Sequence, residues 1–260
     1  MANPPLLGPG EPTPVRQLNP GGTSDFLLTG DHAGRRIPQA LGDLGLPPRE
    51  LRRHIAWDIG IAGVTRRLAE RLDAAAVLQR YSRLVVDCNR PPEAPSAFPE
   101  VSETTLVPGN ADLSAEQKER RRQAIFSPYH AAIAAMLARR RVTGRRTVYV
   151  AMHSFTPVFK GVEREMHCAV LYNRDPRLSL AMAALLRAEG ELTVGENEPY
   201  RLSDETDYGV PVHAGRGGLD YVEIEIRQDL IAAPAGQAAW AERLARLLPL
   251  ADQSIREDRG

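Results

Sequence analysis

Val148-Tyr149-Val150-Ala151-Met152-His153-Ser154 opens as a run of apolar residues and closes on a histidine and a serine. A short run that is apolar throughout reads as a strand buried on both faces. The figure recurs: Phe26-Leu27-Leu28-Thr29 runs into Gly30-Asp31-His32, and Leu84-Val85-Val86 into Asp87-Cys88-Asn89-Arg90. A fourth run, Tyr221 to Arg227, carries two glutamates. Longer segments of helical periodicity lie between, so the chain reads as an α/β sheet covered by helices on both faces. In such a sheet ligands bind at the carboxyl ends of strands, so reactive residues placed there converge on one crevice.

Ile61, Val64, Leu68 and Leu72 follow Asp58 at three- and four-residue spacing and predict a helix over 59–73. Ser114 with Gln117 makes a capping box for the longest helix, which runs to about Arg141 and is expected to bend or break at Pro128. Strands are expected near 147–152, 167–172, 192–195 and 221–227, and helices near 178–188 and 236–255. Residues 1–24, with Pro4, Pro5, Pro9, Pro12, Pro14 and Pro20 among glycines, read as an extended arm before a single catalytic domain over 25–260. The segment 91–112 holds Pro91, Pro92, Pro95, Pro99 and Pro108 without periodicity and reads as an active-site loop.

The 260 residues, 43% of them hydrophobic, suffice for one large core. Lysine plus arginine and aspartate plus glutamate both number 33, so no net field favours nucleic acid or an anionic membrane, and a small substrate is expected. No apolar stretch reaches a membrane span and no secretory leader is visible. Cys88 and Cys168 lack CxxC partners, and a cytoplasmic protein with buried thiols is expected. The oligomeric state stays open, a homo-oligomer included.

His32 and His153, both delivered at strand ends, suit zinc, which takes neutral imidazole nitrogens. Gly34 lets the backbone turn after the first. A catalytic zinc generally needs a third protein ligand, and Asp58 in Trp57-Asp58-Ile59-Gly60 is either that ligand or the cap of the following helix. Asp31 and His54 are weaker alternatives, and Asp31 would otherwise orient a ligand imidazole. Alternation along Tyr221–Arg227 puts Val222, Ile224 and Ile226 on one face and Glu223, Glu225 and Arg227 on the other. One glutamate is then free for proton transfer while Arg227 anchors its neighbour.

Arg90, beside Asn89, is a natural fork for a substrate carboxylate, and Asp87 is expected to orient Arg90 or satisfy backbone donors. The glycine-rich loop 209–218 leads into the glutamate strand and would present His213, with Arg216, to the substrate. His130 and His167 read as structural. Ser154 lacks the G-x-S-x-G elbow of a serine nucleophile.

These motifs together give a resemblance from about Phe26 to Ile231. Asp31-His32-Ala33-Gly34 with Ile37-Pro38, Trp57-Asp58-Ile59-Gly60, Ser82-Arg83 through Asn89-Arg90, His153-Ser154-Phe155 and Glu223 through Asp229 occur in the order of the N-formylglutamate amidohydrolases, which the chain resembles. That family looks like a branch of the zinc carboxypeptidase and aspartoacylase group. The resemblance implies a three-layer α/β/α fold around a mixed, mostly parallel sheet of about eight strands. It further implies one water-bearing zinc on His32, Asp58 and His153, and Glu225 as general base with Glu223 beside it. Asn89, Arg90 and Arg83 would hold the substrate, a small anionic N-acyl amino acid such as N-formylglutamate, in a reaction belonging to histidine degradation. The wider group's first histidine belongs to an HxxE motif, and here the corresponding position is Arg35. A zinc carboxypeptidase or peptide amidase, and a metal-free ligand-binding homologue, are the competing expectations.

Overall fold

The computed structural model describes residues 5–258; residues 1–4 of the expected arm, Pro4 among them, and residues 259–260 lie outside the described residues. A central sheet is built from β1 (Val15–Leu18), β2 (Phe26–Gly30), β3 (Ala75–Gln79), β4 (Val148–Phe155), β5 (Cys168–Leu171), β6 (Val194–Glu196) and β7 (Asp220–Arg227). Its order is β1-β3-β2-β4-β7-β5-β6. β3, β2, β4 and β7 are mutually parallel, β1 and β5 join antiparallel, and β6 runs parallel to β5. The expected mixed sheet is therefore present, with seven strands.

The helices α1 (Ile61–Leu72), α2 (Ala115–Arg121), α3 (Ser127–Val142), α4 (Arg177–Ala188) and α5 (Pro234–Glu257) form the outer layers. Apolar residues of α1, α4 and α5 pack with Val150, Met152, Val222, Ile224 and Ile226 on one face of the sheet. On the other face Ile125, Phe126, Tyr129 and Ile133 cover Tyr149, Ala151 and Tyr221. The two faces thus follow the strand alternation read from the sequence.

Three departures have local causes. Leu84-Val85-Val86 is a turn, not a strand. Its buried side chains join the second core, and its carbonyls are satisfied by side chains instead of a ladder: Asn110 Nδ2 donates to Leu84 O at 2.8 Å and Arg121 Nη1 to Val85 O at 3.1 Å. The neighbouring strand is β3, whose Ala75-Ala76 start has weak β-propensity and masks it in the sequence. In the long helix, the irregularity is a π turn at Arg122–Phe126, directly ahead of Pro128.

The capping box at Ser114 is present, with Ser114 Oγ accepting the Gln117 N–H at 3.2 Å. The expected N-terminal arm contributes β1 at one sheet edge, and its Leu6 is buried. Among the described residues, no helix is long and apolar enough to cross a membrane.

Candidate active site

β2 ends at Gly30, and the following turn brings the buried His32 over the carboxyl ends of the strands. Gly34 is required because the chain here lies against the exit of β3: a Cβ at that position would stand 2.1 Å from the Arg80 carbonyl oxygen. The His32 carbonyl accepts the Asp58 N–H at 2.9 Å, tying the two segments together.

The helix after Asp58 begins on Gly60, at φ 85°, without a side-chain cap. The Asp58 carboxylate instead points into the site. Its Oδ2 lies 3.1 Å from His153 Nδ1, accepts the Ser154 N–H at 3.2 Å, and is 3.6 Å from His32 Nδ1.

One donor atom from each of His32, Asp58 and His153 lies within 4.8 Å of the others, and all three residues are buried. Ligands at 2.0–2.1 Å on a tetrahedral zinc stand about 3.3 Å apart. The separations of 3.1 and 3.6 Å bracket that value. His32 Nδ1 is buried with no hydrogen-bond partner among the described residues, while its Nε2 is 2.7 Å from Asp87 Oδ1. A carboxylate on one ring nitrogen that leaves the other aimed at a carboxylate and a second imidazole is the arrangement of a metal-binding histidine. The donor set fits a divalent cation.

Asp87, expected to serve Arg90, thus orients His32 and also takes the Arg83 fork, at 3.2 Å from Nε and 2.9 Å from Nη2. Burial opposes the Asp58 charge, yet the nearby His32 charge and the hydrogen bond from the His153 imidazole hold its carboxyl well below the usual range. Burial also pushes His153 down, and Glu223, Asp58 and Glu225 more than reverse it, leaving it well above an ordinary imidazole.

The parallel register of β7 on β4 sets Glu225 opposite His153 and Glu223 opposite Ala151. One oxygen of each glutamate is buried without a hydrogen-bond partner among the described residues. Burial, partly offset by the His153 charge, raises Glu223 to about 7 and Glu225 to about 8. A carboxyl group tuned so near neutrality is suited to accept and return a proton. Arg227 does not neutralise either: it pairs with Asp229 at 2.9 Å and donates to the carbonyls of Arg164, Glu165 and Met166.

These groups floor a cavity of about 280 Å³. Arg83, Asn89 and Arg90 form one wall; Asn89 Oδ1 accepts the Tyr208 and Gly209 N–H groups at 3.2 and 2.9 Å, and Arg90 Nη1 binds Asp207 Oδ1 at 2.9 Å. The segment 91–112 contributes Ser96 and Pro99 and, from a small hairpin pairing Val101–Ser102 with Thr105–Leu106, also Val101, Ser102 and Glu103. Glu103 pins that hairpin by accepting from Arg53 and from the Lys160 N–H. His54 lines the cavity 3.5 Å from Glu103 and outside the metal group. Asp31 accepts the Tyr129 hydroxyl at 2.5 Å instead of orienting a ligand ring.

His213 and Arg216 do not line this cavity. Arg216 is exposed, and His213 lines a separate cavity of about 260 Å³ with Thr147 and Asp220, at the opposite end of the strands. His130 Nε2 lies 2.9 Å from the Cys88 carbonyl, and its Nδ1 is 2.9 Å from His213 Nε2. A carbonyl only accepts, so the neutral His130 donates from Nε2 and receives the His213 N–H. Burial, and for His130 also its neighbour, pushes the pair down to about 3 and about 4, so both rings are neutral near pH 7.

Sequence reasoning missed the Asp87–His32 bond and the rim residues Tyr200, Arg201, Leu202 and Asp207. The Asp87 signal was an acidic residue inside an apolar buried stretch; the rim carries no pattern.

The N-formylglutamate amidohydrolase family model matches residues 24–232, a span holding every residue of the site. A gene product of Agrobacterium tumefaciens of known crystal structure shares 43% identity over 96% of this chain and 99% of its own, with a TM-score of 0.93. The N-formylglutamate amidohydrolase of Ralstonia eutropha matches at 20% identity over 94% of this chain and 99% of its own, with a TM-score of 0.67, a likeness of fold. No protein of curated function matches significantly. The chain belongs to the N-formylglutamate amidohydrolase family and is a hydrolase of amide bonds.

Proposed function

We propose that the protein is a zinc-dependent amidohydrolase that removes a small N-acyl group, formyl first among them, from an acidic amino acid such as glutamate. The observation that carries this reading is the buried His32–Asp58–His153 cluster on the floor of a cavity shared with two partnerless glutamate oxygens. Zinc held by those three side chains would supply Lewis-acid polarisation of the acyl oxygen and of water. Glu225, beside His153, takes the proton of the attacking water and returns it to the departing amine, and Glu223 adds negative potential next to it. Arg90 and Asn89 bind the substrate carboxylate, with Arg83 behind them. The pinned 91–112 segment screens the cavity from bulk water.

Elemental analysis combined with hydrolysis of N-formyl, N-acetyl and N-succinyl amino acids tests the reading. About one zinc per chain and fastest turnover of N-formylglutamate are expected. Asp58→Ala loses the ion while keeping its far-UV circular dichroism; full metal occupancy in that variant sinks the third-ligand assignment. Turnover of peptides alone would point to a carboxypeptidase or peptide amidase. A purified protein without metal whose melting temperature ignores chelators would be a ligand-binding homologue.

A further inference from the structure

A substrate with two carboxylates needs cations in a cavity that is itself acidic. Asp58, Asp87, Asp207, Glu103, Glu223 and Glu225 all line it. Against them stand three arginines. Arg83 is committed twice, its Nε and Nη2 to Asp87 and its Nη1 3.6 Å from Asp58. Arg90 is committed on Nη1, to Asp207 and to the Thr206 and Asn89 carbonyls. Arg201 is exposed and has no hydrogen bond or ion pair with any described residue, yet it lines the same cavity.

The backbone that carries Arg201 is held on both sides. Tyr200 accepts the Arg164 Nη1–H on its hydroxyl at 3.0 Å, and Leu202 is buried in the second core. Downstream, Asp207 Oδ2 accepts the Ser203 N–H at 3.0 Å while Oδ1 holds Arg90, so one loop frame ties Arg90 to the backbone that carries Arg201. A guanidinium with an anchored base and no protein partner keeps its planar fork for a ligand.

We infer that Arg201 is the specificity-determining residue that binds the side-chain carboxylate of an acidic N-acyl amino acid, leaving Arg90 to the α-carboxylate. This rests on the amidohydrolase reading for the identity of the substrate but not for the charge preference of the cavity.

The test compares the metal-loaded wild type with Arg201→Ala and Arg201→Lys on N-formyl-L-glutamate and its uncharged isostere N-formyl-L-glutamine. A charge-assisted fork is worth about 10- to 100-fold in affinity. The wild type is expected to prefer the glutamate substrate. In Arg201→Ala the kcat/KM ratio between the two substrates collapses by about that factor, mainly through KM, with partial recovery in Arg201→Lys. Equal losses on both substrates, or an unchanged ratio, overturn the assignment. If the wild type hydrolyses no N-formyl amino acid, the functional reading fails by itself, and calorimetric binding of L-glutamate against L-glutamine to the same proteins decides Arg201. A wild type indifferent to that charge overturns the inference; a preference lost in Arg201→Ala upholds it.

Discussion

The strands β4 and β7 carry charge at both ends, and the two ends are built on opposite principles. At the amino end Arg146 donates to Asp252 at 2.9 Å and to Asp220 at 2.8 Å, so each charge has a counter-charge. At the carboxyl end His153, Glu223 and Glu225 crowd together with Asp58, and several of their polar atoms are buried without a partner among the described residues. Burying a charge is costly unless it is paired. The amino end pairs its charges and serves stability. The carboxyl end leaves acid–base groups strained in their titration, which is the mark of a working site.

The largest test of this contrast is Glu225→Gln. Hydrolysis is expected to fall about 10²–10⁴-fold with metal content unchanged. Thermal stability should hold or rise, because a buried ionisable group is gone; intact turnover with the ion bound would remove Glu225 as the base.

Next comes the pH dependence of the metal-free protein. Glu223 and Glu225 are raised above their unfolded value of 4.5, to about 7 and about 8, so the folded state binds more protons than the unfolded one between those limits. Their contribution to stability is full below pH 4.5 and is lost as pH rises through 7 and 8. The chelator-treated protein should therefore lose on the order of 2 kcal/mol between pH 6 and 8 in denaturant titrations. Glu223→Gln should flatten the slope, and a pH-independent midpoint would contradict the burial argument.

The smallest effect is expected at the amino end. Arg146→Met removes one counter-charge from Asp220 and Asp252, which keep Arg177 and Arg256, and should cost about 1–2 kcal/mol, a figure tempered by the partial exposure of Arg146. Turnover should not change; a loss of activity in the fully folded variant would mean that the two ends are coupled.

The strand-borne part of the site was legible. An apolar run that ends on His153, and an alternation that puts Glu223 and Glu225 on one face, are patterns of period two, and the backbone of a buried strand obeys them. The 82–90 segment was not: three apolar residues in a row fit a strand and a buried turn equally well, and only Asn110 and Arg121, distant in sequence, turn the balance by capping its carbonyls. His213 shows the converse limit. Its glycine-rich setting is that of a loop, but a π turn over Pro211–Gly215 directs it toward His130 and the opposite end of the sheet.

By itself the sequence determined the layered α/β fold, the strands that would carry histidines and glutamates, and their order along the chain, because side-chain periodicity is a local property of the backbone. Tertiary structure alone decided that Asp58 leaves its helix uncapped to face both imidazoles, that Asp87 serves His32, and that Arg201 stands at the cavity without a partner among the described residues. Each of these depends on groups brought together from distant parts of the chain, and which charges meet is fixed only when the sheet register and the loops that close over it are in place.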